Sequence, residues 1–210
     1  MFPTMVKKAS YIFVILSFFQ IPVAFSQYFN TTQISMMMGH KQHSERSYYY
    51  SGTRTQMQVS PSVTMTHGAI LDKHFAAGVG IGFELFDHKL FPLFVDVRRT
   101  FRENTISPFF AFKFGYAFSN LVKKHYDELQ LDYEPYHVIN AYLMNHGGLM
   151  LHPEMGVKIP LNENSDFLMT VAYRHQKTKS TVSQDFGPKN KWERKESMNR
   201  LSFGVAITFK

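Results

Sequence analysis

Over long stretches of the chain every second residue is apolar. From His74 to Phe86 one alternate set reads Phe75, Ala77, Val79, Ile81, Phe83 and Leu85, and the other reads Ala76, Gly78, Gly80, Gly82 and Glu84. A strand sends successive side chains to opposite faces, so this segment has a greasy face and a narrow face ending in a carboxylate. The non-core face of a soluble β-protein is polar and long. A nearly bare face suits a tightly curved, closed wall whose inside is filled by side chains from other strands. The greasy face of such a wall looks outward, into lipid.

Seven more segments alternate in the same way: Thr31 to Lys41, Met57 to Ile70, Phe91 to Phe101, Ser107 to Ser119, Gly148 to Ile159, Asp166 to Gln176 and Met198 to Phe209. Each is close to the ~10 residues that a tilted membrane-spanning strand needs. Short connections carrying Asn, Asp or Pro join the second and third, fourth and fifth, and sixth and seventh segments. Three of the other four connections are long: Gln42 to Gln56, Asn120 to Gly147 and Lys177 to Ser197. The pattern predicts an all-β fold, an eight-stranded antiparallel up-and-down transmembrane β-barrel with short turns on one side and long loops on the other. Leu129–Tyr133 and Tyr136–Leu143, inside the second long connection, either extend the fifth and sixth strands or form an extra hairpin. Extension is the reading adopted, and ten strands is the alternative.

The beginning of the chain changes where this barrel is expected. Lys7 and Lys8 precede an apolar run from Tyr11 to Phe19, and Ala24-Phe25-Ser26 offers a small-x-small cleavage site. Residues 1–26 therefore read as a secretory signal, cleaved near Ser26/Gln27, with residues 27–210 as the barrel domain. After residue 27 no apolar run approaches the ~20 residues of a spanning helix, so a membrane location requires a barrel. The chain has no cysteine, which excludes disulfides and thiolate metal sites. The formal charge is +7, and loss of Lys7 and Lys8 leaves +5. Export and the lack of any supporting motif argue against nucleic acid as the reason for that basicity. Aromatic residues make up 16% of the chain, an excess that fits lipid-facing walls and interfacial girdles.

With Gly78-Val79-Gly80-Ile81-Gly82 and Glu84, Leu93-Phe94-Val95-Asp96-Val97-Arg98, Ser107-Pro108-Phe109 running into Gly115-Tyr116, and Gly147-Gly148-Leu149, the chain resembles a family. It is similar to the small outer-membrane β-barrel proteins of Gram-negative bacteria, the OmpA/OmpX-like group. Its closing strand also resembles the signal that the barrel-assembly machinery recognises, although Phe209 is penultimate and Lys210 follows it. The resemblance implies an outer-membrane location, lipid and lipopolysaccharide as surroundings, and insertion by that machinery.

Projected inward, Glu84, Asp96, Arg98, Lys113, Glu154 and Arg174 form a central charge set, with Lys158 and Arg200 nearer the ends. An eight-stranded barrel is just wide enough for its own side chains, so these charges are expected to pair as a closed plug. A proton or ion path is the sharper alternative. The last long loop carries Lys177, Lys179, Lys189, Lys191, Arg194 and Lys195, candidates for contact with lipopolysaccharide phosphates. Tyr48-Tyr49-Tyr50 reads as an interfacial aromatic cluster, with an adhesive loop tip as the alternative.

Some eight-stranded outer-membrane barrels modify lipid A, and His67 and His175 fall on outward faces. Spacing identifies no Ser/acid pair beside either. His40 and His43 are three apart, which on a strand points the rings to opposite faces, so no metal site is read there. The sequence therefore predicts a monomeric, non-enzymatic barrel with no cofactor, acting structurally or through its loops. The rivals are a lipid-modifying enzyme and a soluble, lipocalin-like binding barrel with the apolar set inside.

Overall fold

The computed structural model describes residues 27–46, 51–85, 89–102, 105–119, 124–126, 141–184 and 191–210. The signal segment, Tyr48–Tyr50, Lys189, Leu129–Tyr133 and the 136–140 part of Tyr136–Leu143 lie outside the described residues. The strands are β1 (Gln27–Arg46), β2 (Ser51–Ile70), β3 (Phe75–Leu85), β4 (Lys89–Thr100), β5 (Ser107–Ser119), β6 (Lys124–Tyr126), β7 (Ala141–Asn162), β8 (Ser165–Gln184) and β9 (Lys191–Phe209). They pair antiparallel in the order β5-β4-β3-β2-β1-β9-β8-β7-β6, and a direct β5–β7 pairing closes the ring. Eight strands make the barrel. The three-residue β6 rests on the outer end of β7 and adds no ninth stave.

Alternation follows the sequence pattern with the apolar face outside. On β9, Leu201, Phe203, Val205, Ile207 and Phe209 are exposed, while Arg200, Ser202, Ala206 and Thr208 are buried. Ile34, Val79, Val95, Phe112, Leu149 and Val171 complete an apolar belt around the wall. The eight steps from Leu201 to Phe209 cover ~26 Å along the strand at ~3.3 Å each. At a ~40° tilt that leaves ~20 Å, close to the ~25 Å band expected in lipid. A soluble, lipocalin-like arrangement would need the reverse placement and is excluded.

Aromatic rings mark both belt edges. Toward the short turns, Phe101 packs edge-on against Phe110 at 6.0 Å, and the Arg99 guanidinium lies 5.2 Å from the Phe75 ring and 5.3 Å from the Phe101 ring. Toward the other side, Phe83 meets Phe91 at 5.3 Å and Tyr116 meets Phe118 at 4.9 Å. We call these the turn side and the rim side.

The narrow face of β3 has the use its sequence suggests. A Cβ on Gly80 would run into the Phe94 ring, which crosses the interior from β4. A Cβ on Gly156 would lie 2.8 Å from the Phe109 ring. Small residues on one strand thus make room for the aromatic core of the next. Gly147 serves the backbone instead: its φ of 77° sits at a register shift in the β7–β8 ladder, in a region that other residues adopt at a cost.

Two further breaks in the ladder coincide with prolines. The β3–β4 pairing omits Gly82/Pro92 and Phe83/Phe91, and the β7–β8 pairing omits His152/Arg174 and Pro153/Tyr173. Proline has no N–H to donate, so each break follows from the residue type.

The strands differ in length. β1, β2 and β8 have 20 residues each, β7 has 22 and β9 has 19, whereas β3, β4 and β5 have 11, 12 and 13. The five long strands are neighbours in the ring, so one wall of the barrel continues beyond the rim. This corrects the loop assignments. Within Lys177–Ser197, residues 177–184 and 191–197 are the paired upper parts of β8 and β9 instead of loop, β7 begins at Ala141, and β1 and β2 reach Arg46 and Ser51. The physical reason is that the outward face meets water instead of lipid above the belt, while Thr178, Ser180 and Glu196 still face inward and are buried. The apolar stripe ends there, although the backbone hydrogen bonds continue.

Candidate functional site

The interior charges come from all around the ring and meet in two clusters. Toward the turn side, β5 brings Lys113 and β7 brings Glu154, and the two pair at 2.9 Å. Gln33 from β1 joins them: its amide donates to Glu154 at 2.9 Å and to Thr170 at 3.0 Å, while its carbonyl accepts from Lys113. The His152 ring approaches the same carboxylate at 3.4 Å. On β4, Arg98 pairs with Asp96 at 3.1 Å and donates to Thr31 at 3.4 Å. Lys113 also faces the Phe94 ring, and Arg98 faces the Phe109 ring.

Toward the rim, Glu84 is fully buried between two guanidiniums, Arg174 in direct contact and Arg200 at 3.5 Å. Arg200 also donates to Ser60 at 3.2 Å and to Gln176. Met37, Met150 and Met198 pack around them with almost no exposure. Arg174 reaches the sulfurs of Met150 and, at 3.9 Å, Met37. All six residues of the expected central set are buried and ion-paired. Arg200, expected near an end, lies in this rim-side cluster as the second partner of Glu84.

Gln33, His152 and Gln176 are polar members that charge projection passed over. Their inward parity was a signal, because Gln33 alternates with Ile34 and Gln176 with His175. A neutral side chain on an inner face did not distinguish itself until its partners were in place.

The outward polar residues lie at the belt edges. Near the turn side, His67 Nδ1 accepts from the Tyr28 hydroxyl and from Asn30 at 3.4 Å. Toward the rim, Asn199 Oδ1 accepts from His175 at 2.7 Å and from Tyr173 at 2.9 Å. Six rungs farther up the wall, His146 Nε2 and Thr181 Oγ1 are 2.8 Å apart, and Thr181 pairs in register with Glu193. That order places the hydroxyl between imidazole and carboxylate. An oriented base has the imidazole in the middle instead. Among the described residues no cluster of three or more His, Cys, Asp or Glu could hold a metal ion. The side chain of His43 lies outside the described residues.

Lys177, Lys179 and Lys195 point outward from the projecting wall and are exposed. Lys179 stands directly opposite Lys195, and Lys177 is two residues along the same face. Lys191 and Arg194 lie on β9, with side chains outside the described residues.

Among solved structures, the chain is similar to the outer membrane protein OprG from Pseudomonas aeruginosa. The TM-score is 0.55 at 13% identity, covering 87% of this chain and 95% of that one. The fold is that of the small outer-membrane β-barrels. Neisserial surface protein A gives a TM-score of 0.44 at 12% identity, covering 86% of this chain and 96% of that one. The N-terminal β-barrel domain of Pseudomonas aeruginosa OprF gives 0.40 at 12% identity, covering 87% and 100%. No protein-family model matches the chain, and no curated protein matches it by sequence. The outer-membrane barrel fold and its ion-paired interior are therefore established by structure.

Proposed function

We propose that this chain is a monomeric outer-membrane barrel with a closed interior, acting as a structural and surface-interaction protein through its projecting wall. Residues 1–26 direct export and are removed near Ser26/Gln27, and the barrel-assembly machinery inserts the rest. The turns then face the periplasm and the wall faces outward. The observation that carries this reading is the five-strand continuation of β7, β8, β9, β1 and β2 past the short β3–β5. With the interior filled by paired side chains, that wall is the large surface left for a partner.

The basic residues of the wall support lipopolysaccharide phosphate as one partner. Like charges directly opposite across a ladder destabilise it, so Lys179 and Lys195 gain from an external anion between them. They stand six rungs beyond the belt edge marked by Tyr173 and Leu201, ~20 Å along the strands and ~15 Å in height at a ~40° tilt, within reach of the polar part of lipopolysaccharide, where ammonium–phosphate bonds are charge-assisted. A catalytic role is not proposed, because the His146–Thr181 pair has its carboxylate on the wrong side.

The test is binding of the purified barrel to lipopolysaccharide and to its dephosphorylated form. The native protein is expected to prefer the phosphorylated form. Lys179→Ala with Lys195→Ala is expected to weaken that binding about tenfold, by losing charge-assisted hydrogen bonds. Equal binding to both forms, or no effect of the double substitution, overturns the assignment.

A further inference from the structure

The turn-side mouth of the barrel holds a cavity of about 240 Å³, on the far side of the molecule from the lysine-bearing wall. At ~30 Å³ per water this is space for about eight waters. Its position follows from the β2–β3 turn, which folds across the opening. Leu71 N–H donates to Phe75 O at 2.8 Å, and Thr100 N–H donates to His74 O at 2.8 Å, fixing the turn against β4. The turn thereby forms one wall, and the inward residues of the strands form the rest.

The lining has two characters. Phe29 and Leu168 are buried apolar side chains in it, with Ile70 and Phe75 at its margin. Around them stand four cations, Lys73, Arg98, Lys158 and Lys210, against two carboxylates, Asp72 and Asp166. Asp166 is engaged by Lys210 at 2.8 Å. Arg98 is buried, and two of its nitrogens bind Asp96 and Thr31, but its Nε has no hydrogen-bond partner. The buried Nδ1 of His74 has none either. With Asp96 against Arg98 counted, the mouth has four cations to three carboxylates, a positive excess whose field low-dielectric walls concentrate in the opening.

We propose that this mouth is a binding site for a small amphiphilic anion, a carboxylate or phosphate head on a short apolar chain. The head takes hydrogen bonds from the cationic side of the lining, including Arg98 Nε and the Nδ1–H tautomer of His74. The chain lies against Phe29 and Leu168. Asp72 and Asp166 repel a second anionic group, so the ligand is charged at one end only. The same chemistry is available from a free acid in solution or from an anionic lipid of the adjacent leaflet.

Titration of the refolded barrel in neutral detergent, read at the Leu168 methyl groups by NMR, tests this. Octanoate and octyl phosphate are expected to give saturable shifts. Octanol, octanedioate and inorganic phosphate are expected to bind at least about tenfold more weakly, each lacking one required feature or adding a repelled one. Lys73→Glu, on an exposed turn, is expected to weaken octanoate about tenfold while heat-modifiable gel mobility confirms the fold. Anionic phospholipid in nanodiscs separates the sources: a shift at Leu168 assigns the ligand to the leaflet, and no shift alongside octanoate binding assigns it to solution. Equal responses to octanol and octanoate, or a titration unchanged by Lys73→Glu, mean detergent-like partitioning only and overturn the proposal.

Discussion

Glu84 sits between the guanidiniums of Arg174 and Arg200, which reach it from β8 and β9 on the far side of the ring. Its alternation within β3 announced an inward carboxylate, and the need to pair buried charge announced a base nearby. Which base was not legible, because cross-barrel neighbours depend on the curvature and stagger of all the strands together. Removing one member of such a set leaves uncompensated buried charge. Glu84→Gln is therefore expected to destabilise the barrel by about 3–5 kcal/mol. Urea unfolding in lipid vesicles measures this, and a loss below about 1 kcal/mol would show that water reaches the two guanidiniums, since exposed pairs are worth little. Phe94 makes the same point for packing. The glycines of β3 signalled a crowded interior, but the ring that fills the space over Gly80 is identified only by the closed wall.

At the scale of elements, alternation located eight strands within the belt and lost them beyond it. The criterion works where lipid lies on one side and packed side chains on the other. Above the rim the outer face meets water instead of lipid and the buried inner residues Thr178, Ser180 and Glu196 are polar, so β8 continues to Gln184 and β9 starts at Lys191 without an apolar stripe to reveal them. Two elements carry an internal flaw that sequence could place but not interpret, namely Pro92 and Pro153. Each removes a rung from a central ladder of the barrel. Pro153→Thr supplies the missing donor toward β8. Its new amide is expected to be as protected from hydrogen exchange as its ladder neighbours. Stability should change by less than about 1 kcal/mol, because the added hydrogen bond is offset by a freer unfolded chain. Rapid exchange of that amide would mean that the β7–β8 gap has another cause.

At the scale of the whole molecule, the protein is inverted relative to a water-soluble barrel: ion pairs inside, aliphatic and aromatic side chains outside. The inversion predicts how position, more than residue type, sets the effect of a new charge. Val95→Arg, at mid-belt, is expected to cost about 2–4 kcal/mol in a bilayer, whereas Met38→Arg, near the rim-side edge, is expected to cost about 0–1 kcal/mol. Equal costs by unfolding in vesicles would contradict the belt placement. The amino-acid sequence by itself determined the strand period, the apolar and polar faces, the strand number and the presence of an inward charge set, because these depend on residues two apart and on the water or lipid each face meets. The tertiary structure alone decided the salt-bridge partners, the projecting five-strand wall, the Lys179–Lys195 juxtaposition and the turn-side cavity. Each of these depends on which distant strands become neighbours once the sheet curls and closes, a choice made by the ring as a whole.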